Sequence, residues 1–357
     1  MSESSNDQPV IATERRRKAL VVMSSNKVLP LAEPAGHPGV STGVFFIELG
    51  QILNEFGPDY DFTFATTDGQ LPQIDINGLA LPWHAVEALT AASIASNAEE
   101  ADGFDVNEYR ANRPELIARR DAELDLAFRY LGNVPVSEVL PNTNKEVALI
   151  RDDVAASFAA LPPTTYFSAQ QLVERDRDPG DGFDLGVFDF AHIPGGHAPM
   201  VDYVDNPWLG ELINVLHEKG VLISLICHAP VAMVSAAKYR VEETGTPVPN
   251  ADNPFAGVRV TTVPKYAEIG ACDAAFLKVP GQQTRPTYYV DEALEEAGFI
   301  FEGVSPNPGA PKVIWEPKVR ILTGNGPQAV DEQAALLRDL LTDVENDMPA
   351  NGLLFPA

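Results

Sequence analysis

The sequence predicts an α/β protein in which a doubly wound parallel sheet is sandwiched between helices and interrupted by one helical insertion that serves as a cap. Three observations carry this. Short continuous apolar runs, such as Ala19-Leu20-Val21-Val22-Met23, suit strands buried on both faces. Segments of helical period alternate with those runs, the signature of parallel β-α-β units. One stretch, about 84–166, breaks the alternation with helical pattern alone.

Taken in order, Ala19 to Met23 is the first strand, and a Pro- and Gly-rich loop follows from Leu29 to Ser41. Thr42 suits the N-cap of a helix running to about Phe56, with Gly57 as its stop. Asp61 to Thr66 is the second strand. In the insertion, Pro114 opens a helix to Leu131 whose Leu124, Ala127, Phe128 and Leu131 share a face. Glu115 with Arg119, and Asp125 with Arg129, support it as i,i+4 pairs. Val147, Ile150, Val154, Phe158 and Leu161 form a second stripe, ended by Pro162-Pro163. The alternation then resumes. Strands are expected at Leu185 to Ile193, Val221 to Ile226, Val258 to Val263, Phe299 to Phe301 and Val319 to Leu322. Helices are expected at Trp208 to Lys219, Pro230 to Tyr239, Val290 to Ala297 and Ala329 to Val344.

Composition narrows the function. Of 357 residues, 45% are apolar and 21% charged, enough for a core and too apolar for wholesale disorder. Two cysteines, Cys227 and Cys272, exclude a disulfide-stapled fold. No apolar run reaches the roughly 18 residues of a membrane span. Basic residues number 25 against 51 acidic, a net charge of −26 that repels nucleic-acid phosphates and anionic lipid, so neither is expected as a partner. The cluster Arg15-Arg16-Arg17-Lys18 reads as a solvated approach to the first strand. Residues 1–17 read as a disordered lead-in with no apolar signal core, and 18–357 as one domain. The expected compartment is the cytoplasm, where cysteines stay reduced.

The chemistry concentrates at Ile226-Cys227-His228-Ala229-Pro230. A buried strand ends at Cys227 and Pro230 suits the first turn of the next helix, a sharp strand-to-helix turn that presents a nucleophile at the carboxyl edge of a parallel sheet. A helix N-terminus there is expected to lower the thiol pKa and favour thiolate. A cysteine alone is more often an inert buried residue; the adjacent histidine and the turn make this one a candidate nucleophile. Upstream, Gly195-Gly196-His197 follows another strand, and close-packed glycines there can aim N–H groups at a developing oxyanion, with Gly196 and His228 as donors. Glu48 lies on the apolar face of the first helix with Val44, Phe45 and Ile52. Desolvation there is expected to raise its pKa toward the range of a general acid/base. A carboxylate paired to an unseen partner is the alternative.

Thr42-Gly43 with Glu48, Gly195-Gly196-His197, Cys227-His228-Ala229-Pro230 and Leu322-Thr323-Gly324-Asn325-Gly326-Pro327 together resemble the ThiJ/PfpI (DJ-one) superfamily of class I glutamine amidotransferase-like proteins. The resemblance covers about residues 18–70 and 183–342. It is strongest to the larger branch of heat-shock chaperones and glutathione-independent glyoxalases (glyoxalase III). It implies a flavodoxin-like sandwich, a homodimer, and a triad of Cys227, His228 and a third acid. That acid lies about eleven residues after the glycine opening the next strand; counted from Gly257, it is Glu268. Glu48 matches the acid/base beside the sulfur. Ala229 stands where the family usually has glycine. Some large members hold a metal through two histidines and a carboxylate near a cap. Here His84 and Glu87 have no second well-placed histidine before His192, so no metal is expected. Cys272 reads as an ordinary thiol in the loop after Glu268.

The resemblance implies a cofactor-free enzyme converting a small 2-oxoaldehyde such as methylglyoxal to a 2-hydroxy acid. A related thiol hydrolase (amidase, peptidase or deglycase acting on a glycated substrate) and a holdase chaperone binding unfolded proteins are the alternatives.

Overall fold

The sequence folds, in a computed structural model, as described for residues 16–85, 103–241, 244–304, 307 and 309–347. The apolar runs become the centre of a seven-stranded sheet. Its strands in chain order are β1 (Arg17–Met23), β2 (Tyr60–Thr66), β3 (Phe167–Ser168), β4 (Phe190–Ile193), β5 (Leu222–Ile226), β6 (Val313–Glu316) and β7 (Ile321–Gly324). They lie in the order β6-β7-β5-β4-β1-β2-β3. Every neighbouring pair is parallel except β6 with β7. β1, β4 and β5 are buried on both faces, which is why they read as unbroken apolar runs.

Successive β1 side chains serve the two layers. Leu20 and Val22 join Ala191, Ile193, Leu209 and Leu212 in one core. Val21 and Met23 join Phe46, Leu49 and Leu53 of helix α1 (Phe46–Phe56) in another, which continues into Leu124, Ala127, Val147 and Phe158 of the insertion. Within the insertion, helices α2 (Pro114–Leu131) and α3 (Lys145–Ala159) therefore pack outside α1, in a third layer. Arg119 at that interface donates to Asp331 at 2.7 and 3.0 Å and to Gln51, tying α2 to α1 and to the C-terminal helix, Val330–Asp347.

Several expectations are corrected. Thr42 does not cap α1: its hydroxyl donates to Asp75 at 3.3 Å, and Val44–Phe45 pairs with Ile74–Asp75 as a short parallel strand, so the helix starts at Phe46 without a side-chain cap. Leu185–Val187 is a 3-10 turn capped by Asp184, and only Phe190–Ile193 joins the sheet. The stretch Val258 to Val263 adds no strand to the sheet; Arg259–Val260 pairs with Ile300–Phe301 in a separate parallel pair. The helix expected from Pro230 is a 3-10 turn, Ala229–Val231, continuing as Ala232–Ala236. The short edge strand Phe167–Ser168 and the antiparallel Val313–Glu316 were too weakly patterned to read. The lead-in lies outside the described residues except Arg16 and Arg17, the latter opening β1; residues 86–102 of the insertion, with Glu87, also lie outside them. Among the described residues no helix is long and apolar enough to cross a membrane.

Candidate active site

Cys227 follows the last residue of β5 with φ of 63°, a left-handed conformation that is costly for a residue with a side chain. Surrounding bonds hold it there. Its N–H donates to the Gly324 carbonyl of β7 at 2.9 Å. Its own carbonyl accepts from the Thr262 hydroxyl at 2.5 Å and the Val263 N–H at 3.3 Å. The elbow thus seats the sulfur at the carboxyl edge of the sheet, 4% exposed.

His228 sits beside it, with Nδ1 3.2 Å from the sulfur and Nε2 2.9 Å from Glu268 Oε2. Glu268 lies in the first turn of a helix, Lys265–Ala274. The same carboxylate takes a second imidazole, His197 Nε2, on Oε1 at 3.0 Å. Burial works against ionisation of Glu268, but His197 and His228 outweigh it and hold the carboxyl far below the usual range. Both Nε2 atoms therefore carry protons toward a carboxylate, leaving His228 Nδ1 to accept from the thiol. The two rings, 4.3 Å apart, titrate in opposite directions. Burial and the neighbouring His197 push His228 down. For His197, burial opposes the charge but Glu268, and then Asp75, raise it.

Glu48 reaches the same sulfur from α1. Its Oε2 accepts from the Gly195 N–H at 2.9 Å, its carboxyl lies beside Cys227 against Gly195, and Oε1 is buried without a partner. Desolvation raises its pKa from 4.5 to about 8, so at neutral pH most molecules carry a protonated carboxyl. No cation pairs with it among the described residues. His192, on β4, donates from Nε2 to the Glu48 carbonyl at 2.9 Å and fixes the position of α1; burial keeps it neutral, with a pKa lowered to about 4.

The glycines are required by this closeness. A Cβ on Gly195 would stand 2.6 Å from the Ile226 carbonyl and 2.9 Å from Glu48 Oε2. Gly196 has φ of +95° and a Cβ there would stand 2.2 Å from the Gly43 carbonyl.

Two placements differ from expectation. The Gly195 N–H is spent on Glu48, which leaves the expected donors, the N–H groups of Gly196 and of His228, the latter without a partner among the described residues. His197 contributes its imidazole to Glu268. And the thiol pKa is raised, not lowered: burial comes first, then the Glu48 carboxylate, against one lowering contact from the Gly196 N–H. The helical segment that follows is short, a 3-10 turn Ala229–Val231 continuing only to Ala236. Cys227 thus rests as a thiol, to be activated by its neighbours.

Sequence reasoning missed Asp75, His192 and the role of His197. Asp75 is buried below the site, raised by desolvation and held by Asn77 and Thr42. Its only sequence signal was an acid inside an apolar stretch. Cys272 lies in the helix of Glu268, not in a loop; burial pushes it up to about 12, an unreactive thiol at neutral pH. His84 is buried with Nε2 3.4 Å from Glu123, a pairing internal to the insertion. Of the described residues, His197, His228 and Glu268 form the cluster with metal-ligating atoms, within 4.8 Å of one another. A cation there would displace both Nε2 protons and break the carboxylate contact that orients His228.

No family model matches the sequence and no curated protein matches it. Solved structures do. The Rapid Encystment Protein 24 kDa of Francisella tularensis superposes with a TM-score of 0.50 at 15% identity, covering 91% of this chain and 99% of its own. The fold is shared with that protein over nearly the whole of both chains. Glyoxalase III of Candida albicans matches at TM-score 0.46 and 16% identity over 90% of this chain and 96% of its own. A ThiJ/PfpI domain protein of Brachyspira murdochii matches at 0.40 and 11%, over 91% and 96%. At these identities the likeness speaks to the fold alone, and the chemistry has to come from the site.

Proposed function

We propose that this protein is a cysteine-dependent enzyme that converts a 2-oxoaldehyde to a 2-hydroxy acid without glutathione. The observation that carries this is Glu48: a buried carboxyl with no ion-pair partner among the described residues, protonated near neutral pH, beside the nucleophile. Acyl transfer by a Cys-His-Glu triad does not need such a group. An internal proton shift between adjacent carbons does.

The steps balance. As sulfur bonds the aldehyde carbon, the thiol proton passes to His228 Nδ1 and Glu48 gives its proton to the aldehyde oxygen. This yields a hemithioacetal, an imidazolium steadied by Glu268, and a Glu48 carboxylate. Glu48 then takes the C1 proton while His228 protonates the oxygen on C2, giving an enediol. Glu48 returns a proton to C2 and His228 accepts the one on the C1 oxygen, leaving a thioester of the 2-hydroxy acid. Water adds to that thioester with its proton going to Glu48, and the departing sulfur regains a proton from His228. The His228 N–H faces the oxyanion of this last step. The net reaction adds one water, and the oxidation at C1 is matched by reduction at C2.

The test is methylglyoxal consumption without glutathione by wild type, Cys227→Ser and Glu48→Gln. Lactate formation by wild type and none by either variant is expected. Turnover that survives Cys227→Ser overturns the reading. Wild type inert to dicarbonyls but active on amides or esters would move the same triad to the hydrolase reading.

A further inference from the structure

The cleft over the sulfur is built for a particular substituent. Its wall opposite the triad holds three aromatic rings. Phe45 meets Trp83 edge-on at 5.7 Å and stacks with Phe276 at 6.1 Å, and Phe276 in turn meets the His197 ring at 5.9 Å. Val263 and Pro327 extend the apolar surface. These rings come from three separate segments: the strand before α1, the helical turn Leu81–His84, and the end of the Glu268 helix. No lysine or arginine lines the cleft among the described residues, and both histidines there already share the Glu268 carboxylate. Of the two lining amides, Asn325 is committed, donating to Ala310 and accepting from Lys312, whereas Gln328 is buried with Oε1 unpartnered. The whole chain carries −26. A dianionic or carboxylate-bearing substrate would find no counter-charge here and would approach against the field of the protein. A compact substrate such as methylglyoxal would leave the ring wall wet.

We propose that the site selects a neutral substrate whose substituent is apolar and ring-sized, seated against Phe45, Trp83 and Phe276, with the reactive carbonyl carbon over Cys227. On the dicarbonyl reading above, on which this rests, the substrate class is an aryl- or similarly bulky alkylglyoxal.

Two readouts separate the two ideas. The first is kcat/KM for phenylglyoxal against methylglyoxal. The second needs no turnover: the rate at which Cys227, followed by mass, is alkylated by N-phenyl iodoacetamide, iodoacetamide and iodoacetate, each divided by its rate with a free small thiol. The expected preference is about tenfold or more for the phenyl reagent over iodoacetamide, the gain from covering one ring face, with iodoacetate slowest. Phe276→Ala should collapse the phenylglyoxal preference. Phe276→Leu, which keeps apolar bulk and guards against a folding defect, should fall between. Equal or reversed preference in both readouts overturns the proposal. Inert dicarbonyls combined with a strong phenyl preference in alkylation would sink the glyoxalase reading and leave the cleft assignment standing.

Discussion

Helix α1 touches two buried ionic clusters that are built on opposite logic. Glu48 enters the site; two residues on, Gly50 packs against Glu123 of the insertion, so closely that a Cβ there would stand 3.0 Å from its Oε2. In the insertion, Arg120 and Glu146, each 1% exposed, meet through two bonds of 2.8 and 3.0 Å. Arg110 adds a third at 2.7 Å and Arg120 also holds the Leu79 carbonyl. Charge is matched by charge, and the cluster fastens helices together. In the site the matching is withheld. Glu48 has no cation and one bare oxygen, one carboxylate serves two imidazoles, and the thiol is pushed up by burial. Burial of ionisable groups therefore does not mark function in this protein. What distinguishes the site is a proton that can move, because no partner holds each group in one charge state.

The comparison can be broken by removing one group at a time. Glu268→Gln should have a large effect on chemistry, short only of the loss expected of Glu48→Gln. It deprives both imidazoles of their anion and should lower kcat by about 10²–10⁴-fold, with an unchanged far-UV spectrum. A loss below tenfold would mean His228 needs no carboxylate. Arg120→Ala should act on stability instead, by about 3–5 kcal/mol in denaturant melts, because Glu146 loses its main partner. Replacing both, Arg120→Met with Glu146→Leu, should recover most of that loss. Turnover per folded molecule should survive either change.

Glu48→Gln sharpens the site half. Turnover is lost, yet alkylation of Cys227 should become faster above about pH 8, its profile moving to lower pH, since the Glu48 carboxylate formed there in wild type is one of the groups that raises the thiol. The same variant tests linkage. The folded-state pKa of Glu48 is raised from 4.5 to about 8, so its contribution to stability is full below pH 4.5 and is lost as pH rises through 8. Wild type should therefore weaken relative to Glu48→Gln between those values; parallel pH–stability curves would contradict it. The smallest effect belongs to Cys272→Ala, a buried thiol apart from the cleft lining, at about 1 kcal/mol with unchanged turnover.

Much of this was legible in the residues. The strands β1, β4 and β5 are apolar without interruption because both faces are covered. The elbow was readable because strand, cysteine, histidine and proline are consecutive. Glu48 was readable from helical period alone, since its i−4, i−3 and i+4 neighbours are apolar. Edge strands were not readable, because Phe167–Ser168 is two residues long and takes its conformation from β2. The start of α1 was misplaced because Val44–Phe45 pairs as a strand with Ile74–Asp75, a contact between segments far apart in the chain.

By itself, the sequence determined the parallel sheet, the helical insertion and the candidate nucleophile, since each depends on residues close together in the chain. Tertiary structure decided the protonation states and the substrate cleft. Glu48, His197, Cys227 and Glu268 come from four segments, and their charges depend on mutual distance and on exclusion of water, neither of which local pattern encodes. The sulfur shows this most plainly: the residues after it predicted a depressed pKa, and the groups that fold around it raise it.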